Sequence, residues 1–303
     1  MNKIFVTGSS GLLSTNIFLK KHLEYDFIGC IHKRSPQFKL DNLNFEKFNL
    51  FDRQKLKKIL IKFNPNYILH NAAITNLELC EQNKELCFKI NYELSCLITD
   101  VAKDLNIKLI FISTDQIYNG LKDSYSEKDT PNPINNYGIS KVKSEEYILK
   151  HYSNSLIIRT NFFGWGPSYR NSFSDRVLKD TFTNVKELDD VSFNPIYLST
   201  LIKILFEMIN NNYSGLFNLS SDDSFTKYKL AKKFLEYFKI NKNIKRIYLK
   251  DLPQNLARPT CMILENNKIK NQLGISKIDT NNCLYNLKLD FDNGYAKQIQ
   301  QIT

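Results

Sequence analysis

Val6-Thr7-Gly8-Ser9-Ser10-Gly11-Leu12-Leu13-Ser14 decides the fold of this 303-residue chain. It ends a short β-rich run, Lys3-Ile-Phe-Val-Thr7, and opens a helix expected from about Gly11 to Glu24. Gly8 and Gly11 permit a tight strand-to-helix turn. They also let the backbone approach a pyrophosphate, whose charge then rests on the helix N-terminus. At the third position, where helix packs on strand, Ser14 replaces glycine, a mild departure because serine is also small. The motif gains its meaning from lying within the first βαβ unit.

Outward from this turn, β-rich and helical stretches alternate. Strands are expected at Asp26–Ile31, Asn44–Phe48, Tyr67–His70, Lys108–Ser113 and Ser155–Arg159. Helices are expected from an Asp52 cap to Phe63, from Lys84 to Leu105 and from Tyr137 to Tyr152. This order predicts an α/β protein with a doubly wound parallel sheet. After Thr160 the alternation loosens, and Gly215–Leu219 reads as a returning strand. The expected division is a dinucleotide-binding domain from 1–160 and 191–222, with a smaller mixed lobe from 161–190 and 223–303.

The chain is 42% hydrophobic and 24% charged, as ordinary globular proteins are. Forty-two Lys and Arg against 31 Asp and Glu leave +11 at pH 7, which suits a phosphate-bearing partner. No basic arm or arginine-rich tract gathers that charge, so a nucleic-acid partner is not expected. No apolar run reaches the roughly 18 residues that span a bilayer, and the N-terminus is too brief for a signal peptide's apolar core. The six cysteines form no CxxC pair and the four histidines no cluster, so no metal is expected. These features read as a soluble, cytoplasmic protein.

At the end of the second strand, a carboxylate would hold a ribose 2′-hydroxyl and basic groups a 2′-phosphate. Here the run is His32-Lys33-Arg34, with no acid before Asp41. NADP(H) is therefore favoured, with NAD(H) left open. Tyr137-Gly-Ile-Ser-Lys141 places a phenol and an ammonium one helical turn apart on one face. A nearby ammonium favours phenolate and lets the tyrosine exchange a proton near neutral pH. The same spacing occurs at Tyr118/Lys122 and Tyr228/Lys232. Context selects Tyr137, which opens a helix after the fifth strand, at the sheet edge where α/β ligands bind.

These stretches, with His70-Asn71-Ala72-Ala73, Asn91, Ser113-Thr114-Asp115, Tyr125 to Pro133, Arg159-Thr160 and Ala257-Arg258-Pro259, resemble the extended short-chain dehydrogenase/reductases acting on nucleotide sugars. The resemblance is greatest to the dTDP-4-dehydrorhamnose reductase family and covers most of the chain. It implies a Rossmann-type domain, a nicotinamide cofactor, a nucleotide-diphosphate sugar as partner and a C-terminal substrate lobe. By position, Thr114 would bond the reacting sugar oxygen, Tyr137 transfer the proton and Lys141 hold the nicotinamide ribose. Asn91 would support the lysine through the helix backbone or a water. Ser10, Gly11, Leu12 and Leu13 would line the pyrophosphate, with Gly8 in the turn. Ala72 and Ala73 would flank the adenosine side, Asn49 and Leu50 the adenine, and Ser113 the cofactor. Asn49 departs from the acid usual there.

Family members that dehydrate sugars carry Thr-Asp-Glu after the fifth strand, because elimination needs an acid and a base. Here the run is Thr114-Asp115-Gln116, and Gln116 transfers no proton at neutral pH. Reduction of a keto group is favoured, with a nucleotide-sugar 4-epimerase holding NAD, or a non-catalytic regulatory subunit, as alternatives. On the substrate side stand Asp115, Gln116, Phe162, Trp165 in a Gly-Trp-Gly-Pro loop, and Arg258. Three of them also have a bland reading: a buried capping acid for Asp115, core packing for Phe162, a surface ion pair for Arg258. A homodimer is left open.

Overall fold

The computed structural model describes residues 1–32, 36–37, 40–179, 184–253 and 256–302. Its first half runs β1 (Asn2–Thr7), α1 (Leu12–Lys21), β2 (Tyr25–Ile31), β3 (Leu43–Lys47), α2 (Arg53–Phe63), β4 (Tyr67–His70), α3 (Leu77–Gln82) and α4 (Lys84–Phe88). A π-helical turn at Lys89–Glu93 leads into α5 (Leu94–Asp104), β5 (Lys108–Thr114), α6 (Asn136–His151) and β6 (Ser155–Thr160). The second half holds β7 (Phe162–Phe163), α7 (Phe173–Leu178), β8 (Lys186–Leu188), β9 (Ser192–Phe193), β10 (Ile196–Tyr197), α8 (Leu198–Asn210) and β11 (Gly215–Leu219). It ends with β12 (Phe225–Thr226), α9 (Lys227–Phe238), β13 (Lys245–Ile247), β14 (Cys261–Met262), α10 (Asn267–Leu273), α11 (Thr280–Asp292) and α12 (Tyr295–Gln300).

The principal sheet has seven strands in the order β11-β6-β5-β4-β1-β2-β3, every neighbouring pair parallel. The order reverses between β1 and β4, which opens a crevice at their carboxyl ends. Alternate residues feed two cores. Ile4, Val6, Ile110, Ile112, Leu156 and Ile158 face one side, toward α1 and α8. Phe5, Leu109, Phe111 and Ile157 face the other, against Leu56 and Leu60 of α2 and Ile98 and Val101 of α5. All seven residues of β5 are buried, as expected of a central parallel strand covered on both faces. The remaining strands form a three-stranded sheet, β12-β9-β14, and two-stranded pairs β13-β8 and β10-β7.

One expected helix is divided. The span from Lys84 to Leu105 breaks into α4, the π-turn and α5, and α3 precedes it unannounced by the sequence. The π-turn carries Asn91, whose buried side chain bonds Ile74 and Ser140 outside its helix as well as Cys87 one turn back. A buried asparagine needing outside partners is a physical reason for a local widening that apolar periodicity does not reveal.

Candidate active site

The crevice at the switch point is a cleft of about 940 Å³. Its floor begins at Gly8, where φ is +69° and an added Cβ would lie 2.8 Å from the backbone N and Cα of Ala72. Glycine is required there by both conformation and space. Gly11 caps α1 with no side-chain bond, so the first amides of the helix, at Leu12 and Leu13 on the cleft wall, have no internal acceptor. This bare N-terminus, beside Ser10, fits a pyrophosphate. Ser14 is fully buried and accepts a hydrogen bond from Asn71 Nδ2 at 3.0 Å, so its hydroxyl ties α1 to the end of β4.

Phe48, Asn49, Leu50 and Phe51 line the opposite end with His32, and Ala72 and Ala73 lie between. Asn49 Oδ1 accepts from the Phe51 amide at 3.1 Å, which shapes the turn after β3. Lys33 and Arg34, expected to read a 2′-phosphate, lie outside the described residues.

Ser113, Thr114, Asp115 and Gln116 enter the cleft from the end of β5, and Tyr137 and Lys141 from the first turns of α6. The Tyr137 hydroxyl lies within hydrogen-bonding reach of Thr114. Lys141 Nζ donates to the Ile112 carbonyl at 2.8 Å and sits 3.8 Å from the centroid of the Phe111 ring. The rival pairs go elsewhere: Tyr118 bonds the Ser126 carbonyl and Arg159, while Lys122 pairs with Asp129. Arg246 stacks on Tyr228 at 4.6 Å.

Burial sets the charge states. It raises the Tyr137 phenol above its usual range, and the Asp115 carboxyl, Cys80 and Cys87 push the same way. The sequence expectation that a neighbouring ammonium favours phenolate is thus corrected: the tyrosine stands as a neutral phenol. Burial lowers Lys141 to about 7, opposed by Glu145. Burial raises Asp115 to about 6, opposed by hydrogen bonds from Asn161 and Thr114 and by the Lys227 charge. Asn161 Nδ2 donates to Asp115 Oδ2 at 2.7 Å and Thr114 Oγ1 to Oδ1 at 3.2 Å.

Several expectations are corrected. Trp165 is buried away from the cleft, its Nε1 donating to the Leu287 carbonyl at 3.1 Å and its ring against Phe238 and Phe291. It is part of the core, against α9 and α11. Asn91 does not line the cleft: its carbonyl accepts the hydroxyls of Ser95 at 2.6 Å and Ser144 at 2.8 Å. It bonds α6 through Ser144 and, from its own Nδ2, through Ser140, the residue beside Lys141. Ser113 borders the cleft, but its hydroxyl donates to Glu145. Phe162, Gln116 and Arg258 do line the cleft. Gln116 Oε1 is buried without a partner, and Arg258 reaches Glu78 at 3.3 Å while lining the same wall, so its two readings coexist. Sequence reasoning missed Arg170 and Lys227, cations that border the cleft from the second half of the chain. Lys227 opens α9 behind its Thr226 cap, a position with no motif to announce it.

Among the described residues no group of three or more His, Cys, Asp and Glu is gathered for a metal ion, and no helix is long and apolar enough to cross a membrane.

A glycine turn at the switch point and a Thr–Tyr–Lys set in the same cleft define the class of the extended short-chain dehydrogenase/reductases. Within it, the chain belongs to the RmlD substrate-binding domain family, whose model matches residues 1–287. It is 28% identical over 241 residues to methionine adenosyltransferase 2 subunit beta of Danio rerio, covering 76% of this chain and 72% of that protein. It is 26% identical over 284 residues to the probable low-salt glycan biosynthesis reductase Agl14 of Haloferax volcanii, covering 90% and 93%. The fold is shared with the dTDP-4-dehydrorhamnose reductase of Bacillus anthracis in complex with NADP, with a TM-score of 0.82 and 20% identity, covering 96% of this chain and 100% of that one.

Proposed function

We propose that this protein is an NADPH-dependent oxidoreductase that reduces a keto group, at C4, on a nucleotide-activated 6-deoxysugar, with Tyr137 as the proton donor. The observation that carries this reading is that Thr114, Tyr137 and Lys141 line one cleft with the glycine turn, beside Gln116 where elimination would need an acid. The named reductases among its relatives and structural neighbours support the same activity.

When bound, a nicotinamide cofactor would supply the hydride. Thr114 orients the keto oxygen, and Tyr137, protonated at rest, delivers its proton to that oxygen as negative charge develops there. Lys141 holds the nicotinamide ribose and stabilises the phenolate that remains. The amides at the start of α1 hold the pyrophosphate of the cofactor. Arg170, Lys227 and Arg258 offer positive charge to the diphosphate of the substrate. Asp115 and Phe162 border the sugar. A dinucleotide-binding unit of 1–160 with 191–222 and a substrate lobe of 161–190 with 223–303 accompany this division of labour. NADP(H) is the favoured cofactor and NAD(H) the alternative.

A second reading, a non-catalytic regulatory subunit, is favoured by the relatives named as methionine adenosyltransferase 2 subunit beta. Retention of Thr114, Tyr137 and Lys141 in one cleft weighs against it. The test is NADPH consumption with dTDP-, UDP-, GDP- and CDP-linked 4-keto-6-deoxyhexoses, with NMR of the product. NADPH oxidation yielding a 4-hydroxy sugar is expected. Cofactor binding without oxidation across the panel would favour the regulatory subunit. Formation of a 4-keto-6-deoxy product from an unmodified nucleotide hexose would overturn the reductase reading.

A further inference from the structure

The buried face of α6 carries an acid to which the reaction described above assigns no part. Glu145 lies one helical turn beyond Lys141 on the same face, its side chain 2% exposed. Its carboxylate is held from two strands. Ser113 of β5 donates to Oε1. Arg159 of β6 donates from Nε to both oxygens, at 3.2 and 3.1 Å, and from Nη2 to Oε2 at 2.6 Å. Arg159 also donates to the Tyr118 hydroxyl at 2.7 Å, and Tyr118 stacks on Tyr125 at 4.0 Å. Tyr125 exchanges backbone hydrogen bonds with Ile263 and Glu265 beside β14. One carboxylate therefore joins the lysine's helix, the strand that delivers Thr114, and a tether to the C-terminal segment.

Stability alone explains such a cluster poorly. Desolvating an ion pair of this kind offsets most of its attraction, and apolar residues of similar shape often serve as well. An apolar pair would not face an ammonium with a negative charge. Ser113 directly precedes Thr114, so the bond from its hydroxyl to Glu145 also sets the last turn of backbone before the substrate oxygen's partner.

We propose that Glu145 is a positioning residue for the reduction: clamped by Arg159 and Ser113, it fixes the end of β5 against α6 and sets a negative charge one helical turn from Lys141, the lysine that grips the cofactor ribose. This rests on the reading of Lys141 as the ribose-binding lysine. Burial draws Lys141 down to about 7, and Glu145 is the acid that opposes the fall. The other titratable groups facing this part of the cleft are His70 of β4, which burial, aided by the Lys141 charge, holds neutral, and Tyr137, which in turn faces Asp115, Cys80 and Cys87. The Phe111 ring and the Ile112 carbonyl of β5 complete the lysine's surroundings.

The experiment compares wild type with E145Q, the charge-free pair E145Q/R159Q, and E145D. Two quantities are followed from pH 5.5 to 9: the alkaline limb of kcat/KM, and NADPH affinity by fluorescence titration without substrate. In E145Q the alkaline limb and the pH at which NADPH affinity falls should both move down by about one pH unit, and in the double variant they should move the same way by less, because the opposing Arg159 charge is removed as well. E145D keeps the charge and should restore the wild-type position at a reduced kcat. E145Q leaves Arg159 buried without its partner, so if it fails to fold the double variant decides. Lower kcat with both pH dependences unmoved would make Glu145 a structural brace and overturn the proposal. Failure of both charge-removing variants to fold would do the same. The binding titration needs no turnover, so it tests Glu145 even if no keto-sugar is reduced. Normal turnover with unshifted profiles would sink Glu145 alone.

Discussion

The Thr7 hydroxyl donates to Nδ1 of His70 at 2.7 Å while accepting the amides of Asn71 and Ala72, each at 3.1 Å. With its lone pairs given to two amides, Thr7 has its proton left for the ring, so Nδ1 accepts and Nε2 carries the hydrogen. Nε2 then donates to Ser95 Oγ at 2.9 Å, and Ser95 donates to the Asn91 carbonyl at 2.6 Å. This chain joins the ends of β1 and β4 to the π-turn, directly beneath the glycine cradle. It holds only while His70 is neutral.

Burial, aided by the Lys141 charge, lowers His70 from 6.5 to about 3. Its folded pKa lies below the unfolded value, so its contribution is present in full above pH 6.5 and lost as pH falls toward 3. His70→Gln keeps an acceptor and a donor without the titration. Between pH 7 and 5 the stability of this variant relative to wild type should rise by roughly 2 kcal/mol in urea unfolding. An unchanged difference across that range would refute the assignment.

Asp115 acts in the opposite sense. Its folded pKa of about 6 lies above the unfolded 3.8, so its contribution is most favourable below 3.8 and declines as pH rises to 6. Asp115→Asn should therefore stabilise the protein at pH 7 by roughly 2–3 kcal/mol, with the gain vanishing below pH 4. His70 and Asp115 therefore act in opposite senses between about pH 4 and 6.

Tyr137→Phe preserves the ring's contacts and removes the donor. Turnover should fall by roughly 10²-fold or more, with cofactor affinity little changed. Near-normal turnover would remove Tyr137 from the proton step.

Replacing Lys33 and Arg34 with Ala should weaken NADPH binding by roughly 1.5–3 kcal/mol per lost charge-assisted contact and leave NADH nearly unaffected. Equal losses for both cofactors would mean that neither side chain reads the 2′-phosphate.

Gly138 follows Tyr137 inside α6, where propensity alone predicts a gain of about 1 kcal/mol for alanine. An added Cβ would instead lie 2.2 Å from the Gln116 carbonyl oxygen and 2.8 Å from Pro133 Cβ. The backbone clash outweighs propensity. Gly138→Ala should lower the melting temperature and, by displacing α6 from Gln116, reduce turnover. A higher melting temperature with full activity would show that the contact relaxes freely.

The sequence by itself determined the doubly wound sheet, the glycine cradle and the gathering of Thr114, Tyr137 and Lys141. These are local matters: strand alternation, glycine spacing and an i,i+4 helical pair are written in neighbouring residues, and their place after β1 and β5 brings them to one sheet edge. Tertiary structure alone decided the rest. Trp165 went to the core because α9 and α11 cover it, and Lys227 reached the cleft because the start of α9 borders the same cleft as the residues at the end of β5. Neither outcome has a signature in adjacent residues. The neutral Tyr137 likewise follows from how completely its surroundings exclude water, which is a property of packing in three dimensions and not of spacing along the chain.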